Sequence, residues 1–215
     1  MLEIRGGRLC LDFANTVHRR PTDSPVERLT SYADLVAWSR QAGVLTDVLA
    51  RRLLEDAAHQ PARAAAVLER AITLRETVYS ICVAIAGRRS PEAADLAILN
   101  SALGEVLARL RIVSTADGLR WEWHNDEGAL DRMLWPVIRS AADLFASSEL
   151  ALVRKCAAQR CGWLFMDTTK NRSRRWCDMR GCGNRAKARR HYERKKMAGE
   201  LSKDPVRPRQ DGGDP

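Results

Sequence analysis

The stretch CAAQRCGWLFMDTTKNRSRRWCDMRGC, residues 156–182, contains four of the six cysteines of this 215-residue chain. The cysteines form two pairs, Cys156 with Cys161 and Cys177 with Cys182, and four residues separate the members of each pair. Fifteen residues lie between the pairs, enough for a short hairpin. Each pair is spaced to form a turn that directs two thiols toward one point, so the spacing predicts that all four sulfurs meet.

Four thiolates around one point match the tetrahedral sulfur shell that zinc prefers. Four protein ligands leave no open position for water, so we expect one Zn²⁺ per chain with a structural rather than a catalytic role. The intervening sequence predicts a hairpin with strands at residues 163–166 and 173–176, which would bring the two pairs together. The alternatives are two disulfides, scattered buried thiols or an iron–sulfur cluster.

No signal peptide and no 18-residue apolar stretch is visible, so we expect a cytoplasmic protein without a membrane partner. That reducing compartment favours metal ligation over disulfides. Cys10 and Cys82 lie on apolar faces far from the four clustered cysteines in sequence, and we expect them to be core thiols.

The positive charge is concentrated in one segment. Residues 154–196 carry 15 Lys and Arg against three acidic residues, or +12, whereas the whole chain carries +9. Such a segment predicts a polyanionic partner. After Asn184, the expected N-cap, residues 185–197 are predicted to form a helix that is basic around most of its circumference, with Ala188 and Tyr192 facing inward.

The basic helix and the hairpin are predicted to bind double-stranded DNA, with phosphates supplying most of the affinity. The predicted nucleic-acid contacts are ten basic residues: Arg172, Arg174, Arg175, Arg185, Lys187, Arg189, Arg190, Arg194, Lys195 and Lys196. RNA is the alternative polymer, although few aromatic side chains are available to stack bases. A solvated basic face with no partner is the third interpretation, and a homodimer is left open.

The chain is predicted to be mainly α with a small β component, an α+β class. We expect a mainly helical domain over residues 1–150, a zinc finger over residues 151–198 and a disordered tail over residues 199–215. Ser31 with Asp34, and Thr46, are typical N-caps, and Gly43 is a typical helix stop. Pro61 is expected at the first position of a long helix.

Further along, Ser90–Pro91 is expected to begin another helix. Residues 111–124 alternate around Asp117–Gly118, a dipeptide that favours a type I′ hairpin turn. A helix over residues 127–147 follows, in which Pro136 is expected to cause a kink.

Asp12, Asn15 and His18 follow an apolar, strand-like segment. One interpretation places them in a ligand pocket, which would make residues 1–150 a sensor. The other is that Asp12 and Asn15 bond to nearby backbone. No phosphate loop, GxSxG or HExxH motif occurs, so no enzyme is predicted. A small-molecule enzyme or binder in which the finger is only a scaffold is the remaining alternative.

The residues WCDM (176–179) and CGNR (182–185) resemble the CGNR-type zinc finger, and residues 161–177 resemble the rest of that module. The stretch GRLCLDFANT (7–16) resembles the opening of the ABATE domain, which commonly precedes this finger in bacterial proteins. The resemblance implies a bacterial, stress-linked transcription regulator. It also implies that the metal ligands are the four clustered cysteines.

Overall fold

A computed structural model of the chain describes residues 4–124 and 128–201. The chain divides into two units, residues 1–177 and residues 178 onward. The helices in the described part are α1 (Leu9–Ala14), α2 (Tyr32–Gln41), α3 (Asp47–His59), α4 (Pro61–Ala86), α5 (Ala93–Leu107), α6 (Leu134–Phe145) and α7 (Asn184–Leu201). The predicted class, mainly α with a small β component, is confirmed.

The strands form antiparallel pairs. They are β1 (Val17–His18) with β2 (Val26–Glu27), β3 (Leu110–Thr115) with β4 (Gly118–Trp123), and β5 (Val153–Lys155) with β6 (Leu164–Met166). A 3-10 helix, Ser148–Leu152, precedes β5, and a π-helical turn, Met179–Gly183, precedes α7. No helix in residues 4–124 or 128–201 combines the length and the hydrophobicity needed to cross a membrane.

Local chemistry sets most of the helix ends. The Ser31 hydroxyl accepts a hydrogen bond from the N–H of Asp34, and Thr46 caps α3 in the same way. Pro61 begins α4, where its missing N–H costs nothing. Gly43 has a φ of 73°, the left-handed conformation that ends α2. These four predictions are confirmed.

The core of the first unit is built around α1, which packs against α4, α6 and β6. Five of its six residues are buried, and the ring of Phe13 lies 5.0 Å from that of Trp38. One face of α4 supplies Ala71, Leu74 and Val78, all at most 4% exposed. Residues of β6 belong to this same core, so part of the predicted finger is packed into the helical body.

The strand-like interpretation of residues 8–16 was wrong, because Leu9–Ala14 is a helix. A short apolar run that is buried on every side carries no periodicity that separates a helix from a strand. The next helix start was also misplaced, since α5 begins at Ala93 after Glu92 rather than at Ser90–Pro91.

The predicted β3–β4 hairpin is present, but the type I′ turn at Asp117–Gly118 was wrong. Thr115 pairs with Gly118, so Ala116 and Asp117 are the turn residues. A type I′ turn needs positive φ at both central residues, and neither Ala116 nor Asp117 has one.

The last helix of the first unit, α6, begins at Leu134 instead of residue 127, and residues 125–127 lie outside the described part. Pro136 therefore falls in the first turn, where its N–H has no helical partner to lose, and the predicted kink has no cause.

Candidate metal centre and basic helix

The first cysteine pair sits on a tight turn between β5 and β6. Cys156 follows β5, and its N–H donates to the carbonyl of Trp163 at 2.7 Å. Cys161 donates from its N–H to Ala158 at 3.0 Å, which closes the turn. Gly162 leaves the turn with a φ of 75°. Both sulfur-bearing residues are buried.

The predicted hairpin between residues 163–166 and 173–176 was wrong. β6 pairs with β5, and residues 173–176 form no strand. The polar backbone groups of residues 173–176 bond to other loop and turn residues instead of to β6. The N–H of Arg174 donates to the Asp167 carboxylate at 2.9 Å, and the carbonyl of Arg175 accepts from Ala157 at 2.9 Å.

Asp167 organises the loop that leads to the second cysteine pair. Its carboxylate also accepts from the N–H and the hydroxyl of Thr169, at 3.1 and 2.6 Å. Burial acts to raise the pKa of Asp167, but the Thr169 hydroxyl and the N–H groups lower it below its ordinary value. A charged carboxylate, fully buried, is therefore the anchor of this loop. Sequence reasoning missed it, although the DTT tripeptide is a typical signal for such a turn.

The four sulfurs meet as the spacing predicts. Those of Cys156, Cys161, Cys177 and Cys182 all lie within 4.8 Å of one another, and Cys161 Sγ is 3.6 Å from Cys177 Sγ. Zn–S bonds of about 2.3 Å place the sulfurs of a tetrahedral site about 3.8 Å apart. The thiols share their protons through hydrogen bonds, which lower the pKa of Cys156 and raise those of Cys161 and Cys177. A metal ion that binds the cluster would displace these protons. The cluster fits one structural Zn²⁺.

The other two cysteines are core thiols, as predicted. Cys10 and Cys82 are both fully buried. Burial raises the pKa of Cys10 to about 11 and that of Cys82 well above its ordinary value. Neither thiol is therefore prepared to bind a metal or to react.

The second unit begins with Asp178, whose carboxylate accepts from the N–H of Gly181 at 2.7 Å. The π-helical turn then runs directly into α7, and Asn184 is already helical, so the predicted N-cap at Asn184 was wrong. Gly183 has no positive φ. A Cβ there would lie 2.8 Å from Met179 Sδ, so glycine is needed for close packing.

Arg185 occupies the first turn of α7 and donates from a guanidinium nitrogen to Cys182 Sγ at 3.2 Å. A hydrogen bond to a thiolate ligand is typical of the outer shell of a zinc site, where it compensates negative charge. This bond was not foreseen from the sequence.

From Lys187 through Lys196, every residue of α7 is exposed. Ala188 and Tyr192 were predicted to face inward, which was wrong, because both are exposed and Tyr192 is 70% exposed. Within the helix, Arg189 pairs with Glu193 at 3.1 Å. The predicted nucleic-acid contacts that lie exposed on α7 are Arg185, Lys187, Arg189, Arg190, Arg194, Lys195 and Lys196.

The three arginines of the preceding loop differ from one another. Arg174 is partly buried, donates to the carbonyls of Trp176 and Cys177, and lies 4.6 Å from the centre of the Phe165 ring. Arg172, with a φ of 47°, and Arg175 are exposed. Arg174 is therefore committed to internal contacts, whereas the other two face solvent.

Asp12, Asn15 and His18 do not act as one group. The Asp12 carboxylate accepts from the N–H groups of Arg5 and Gly6, both at 2.7 Å. The Asn15 amide bonds to backbone of β6, and His18 packs edge-on against Trp163 at 4.8 Å. A ligand-binding role for these three residues stays a prediction.

Two family models match the chain. The ABATE model, described as "Putative stress-induced transcription regulator", matches residues 7–148. The model described as "CGNR zinc finger" matches residues 153–195, which include all four clustered cysteines and most of α7. A search of curated proteins finds no match. The resemblance to both families is thereby confirmed.

Proposed function

The chain belongs to the ABATE family, and we propose that it is a bacterial, zinc-dependent transcription regulator that binds double-stranded DNA through α7. The observation that carries the proposal is the charge of this helix. Residues 184–196 hold seven Lys and Arg and one acidic residue, all exposed. A solvated helix gains nothing from such a charge excess, whereas a DNA-binding helix gains from each phosphate it neutralises.

The dimensions of α7 support duplex DNA as the partner. Its 18 residues span about 27 Å at about 1.5 Å per residue, and a helix fits a major groove about 12 Å wide. The first turn is bonded to Cys182, so zinc fixes the end of the helix. Because Arg185 is already bonded to sulfur, Arg189 and Arg190 are the better candidates for contacting base edges. The pair between Arg189 and Glu193 is exposed and therefore weak enough to give way to a contact with DNA.

The test is to measure duplex binding by fluorescence anisotropy at increasing salt concentrations. About five phosphate contacts give a slope of log K against log salt near −4 to −5, at about −0.9 per contact. Arg189→Ala should reduce the binding free energy by about 1–3 kcal/mol on a selected duplex and by less on a scrambled one. Lys195→Ala should weaken both duplexes alike.

Arg51→Ala is the matched control, because Arg51 is an exposed arginine on α3 and its removal changes the net charge equally. If the two α7 variants alter neither affinity nor salt slope relative to Arg51→Ala, α7 does not bind DNA. In that case the finger is a scaffold and the regulator proposal fails.

RNA is the second candidate, favoured by one observation: Tyr192 presents an exposed aromatic ring among the cations of α7. A base stacked on that ring contributes about 1–3 kcal/mol to single-strand binding. Tyr192→Ala should then weaken single-stranded RNA and leave duplex DNA unchanged. A protein that prefers RNA over duplex in competition would favour this function.

We further propose that the helical body senses a ligand and controls the finger, without enzymatic activity. The supporting observation is that Leu164 and Met166, which lie between the cysteine pairs, belong to the core of the body. We place the protein in the bacterial cytoplasm, where reducing conditions keep the four thiols available for zinc. Self-association as a homodimer would match a two-fold operator.

A further inference from the structure

An open cavity of about 520 Å³ lies beside the first cysteine pair, within residues 1–177. Its wall combines apolar and charged side chains. The apolar part includes Val17, Pro21 and Pro25, and the rest is Arg20, Glu27, Arg75, Glu76, Tyr79 and Lys155. The volume is that of a site for a small organic molecule. No residue of the predicted Asp12, Asn15 and His18 group lines it.

The charged wall is an ion-pair network built on a buried arginine. Arg75 is 2% exposed and donates to both carboxylate oxygens of Glu27, at 2.6 and 2.7 Å. Its Nε donates to Glu76 at 2.9 Å. Arg20 donates to Glu76 at 2.6 and 3.0 Å and stacks on the Tyr79 ring at 3.9 Å. The Arg75 side chain is buried, whereas those of Glu27 and Glu76 are 36% and 45% exposed, so the network presents charged groups at the cavity wall, where a charged ligand can reach them.

In this network the carboxylate oxygens all accept hydrogen bonds, whereas some of the cationic N–H donors have no acceptor in the part of the chain that the structure describes. Both oxygens of Glu27 and of Glu76 accept hydrogen bonds from arginine. The guanidinium of Arg20 offers five N–H groups and makes three hydrogen bonds. Lys155 has no ion pair within residues 4–124 and 128–201. Three cations against two carboxylates leave one positive charge.

We propose that this cavity binds a small organic monocarboxylate. The ligand carboxylate would lie between Lys155 and Arg20, and its apolar body would lie against Pro21, Pro25 and the Tyr79 ring. A single negative charge matches the excess of one cation. A phosphate dianion would be repelled by Glu27 and Glu76.

The cavity wall is also the support of the metal site. The Tyr79 hydroxyl donates to the carbonyl of Gly162 at 2.9 Å, and Gly162 follows Cys161. A Cβ on Gly162 would lie 3.0 Å from Pro21 Cδ and 3.2 Å from Arg20 Cβ, so the backbone of the turn between β5 and β6 packs directly against the cavity wall. Lys155 directly precedes Cys156. A carboxylate that attracts Arg20 and Lys155 therefore acts on the backbone that holds both cysteines.

The regulatory meaning of the site rests on the proposed function, whereas binding itself does not, so binding is measured without DNA. The probes are butyrate, hexanoate and benzoate, titrated into the zinc-loaded full chain and followed by NMR. Benzyl alcohol is the neutral comparator and phenyl phosphate is the dianionic one. We expect saturable binding of the carboxylates and weaker binding of both comparators.

Two variants test the location. Lys155→Met should weaken benzoate about tenfold or more, the effect of losing one charge-assisted hydrogen bond. Lys170→Met, an exposed lysine outside the cavity, should leave it unchanged. Pro25→Trp should fill the cavity and abolish binding. The proposal is overturned if none of the three acids binds, if phenyl phosphate binds as tightly, or if Lys155→Met and Pro25→Trp both bind benzoate normally.

The link to the metal is measured as the rate of zinc transfer to a chromogenic chelator. Saturating benzoate should change that rate severalfold in the wild-type chain. Tyr79→Phe, which keeps the ring and removes the bond to Gly162, should bind benzoate but lose this effect. If benzoate leaves the rate of zinc transfer from the wild-type chain unchanged, the cavity is not coupled to the metal site. Neither a changed nor an unchanged rate bears on whether α7 binds DNA.

Discussion

The Asn15 carboxamide donates a hydrogen bond to the carbonyl of Leu164 and accepts one from its N–H, both at 2.8 Å. One side chain thus supplies the bonding pattern of a neighbouring strand to a residue 149 positions away in sequence. The N–H of Met166 donates to Gly6 at 2.9 Å, so the start of the chain covers the edge of β6 that β5 leaves open. This edge joins the helical body to the zinc-binding loop.

Replacing Asn15 with Ala should destabilise the fold, because two buried backbone groups of Leu164 lose their partners. At about 1–3 kcal/mol for each unsatisfied group, we expect a loss of about 2–6 kcal/mol in the free energy of unfolding. Urea unfolding followed by circular dichroism measures it. Asn100→Ala, at an exposed site on α5, should change stability by no more than a few tenths of a kcal/mol, in the stabilising direction. Equal stabilities of the two variants would contradict a structural role for Asn15.

Removing zinc should disorder the metal-binding turns without unfolding the whole finger. The core burial of Leu164 and Met166, together with the Asn15 bonds, should preserve β5 and β6. Residues 156–162 and 173–183 depend on the metal, because few apolar groups hold them. Hydrogen exchange of Cys177→Ser should rise in those segments alone. Cys82→Ala, a core variant, should keep one zinc per chain but unfold at a lower temperature.

Arg185→Ala should release zinc faster, since the Cys182 thiolate loses its hydrogen bond. Loss of an outer-shell partner typically weakens metal affinity about 10–100-fold. Chelator competition against Arg189→Ala, which removes an exposed arginine one turn later, isolates this effect from net charge. Identical zinc affinities in the two variants would mean that the Arg185 bond does not stabilise the site.

Arg75→Met should destabilise the body by about 3 kcal/mol, because it leaves Glu27 and Glu76 without their buried partner. Arg70→Met, which removes more exposed pairs with Glu105 and Asp131, should cost about 1 kcal/mol. The measurement is denaturant unfolding at neutral pH. A cost for Arg75→Met no greater than that for Arg70→Met would rule out a stabilising network.

The same pair of variants has a defined pH dependence. Burial acts to raise the pKa of Glu27 and of Glu76, but hydrogen bonds from Arg75 and Arg20 hold both below the ordinary value of 4.5. Their contribution is therefore complete above about pH 4.5 and is lost as the pH falls through the lowered values. The stability gap between the wild-type chain and Arg75→Met should narrow on acidification, whereas the gap for Arg70→Met should stay small.

The sequence by itself determined what depends on short-range chemistry. The spacing of the four cysteines predicted their cluster, since the sulfur preference of zinc and a turn of a few residues suffice to fix it. Ser31, Thr46 and Pro61 predicted helix starts, because a cap is made within three residues of itself. The excess of charge near α7 is a property of composition alone.

Only the tertiary structure decided which segments meet. The residues of β6 pair with β5 and with Asn15 rather than with residues 173–176, because strand pairing depends on which edges are brought together when the core is buried. Arg174 and Arg175 are neighbours of the same type, yet one bonds to backbone inside the loop and the other faces solvent. Leu9–Ala14 is a helix that the local sequence could not predict. Because nearly all of its side chains are buried, its hydrophobic pattern has no period that favours a helix over a strand.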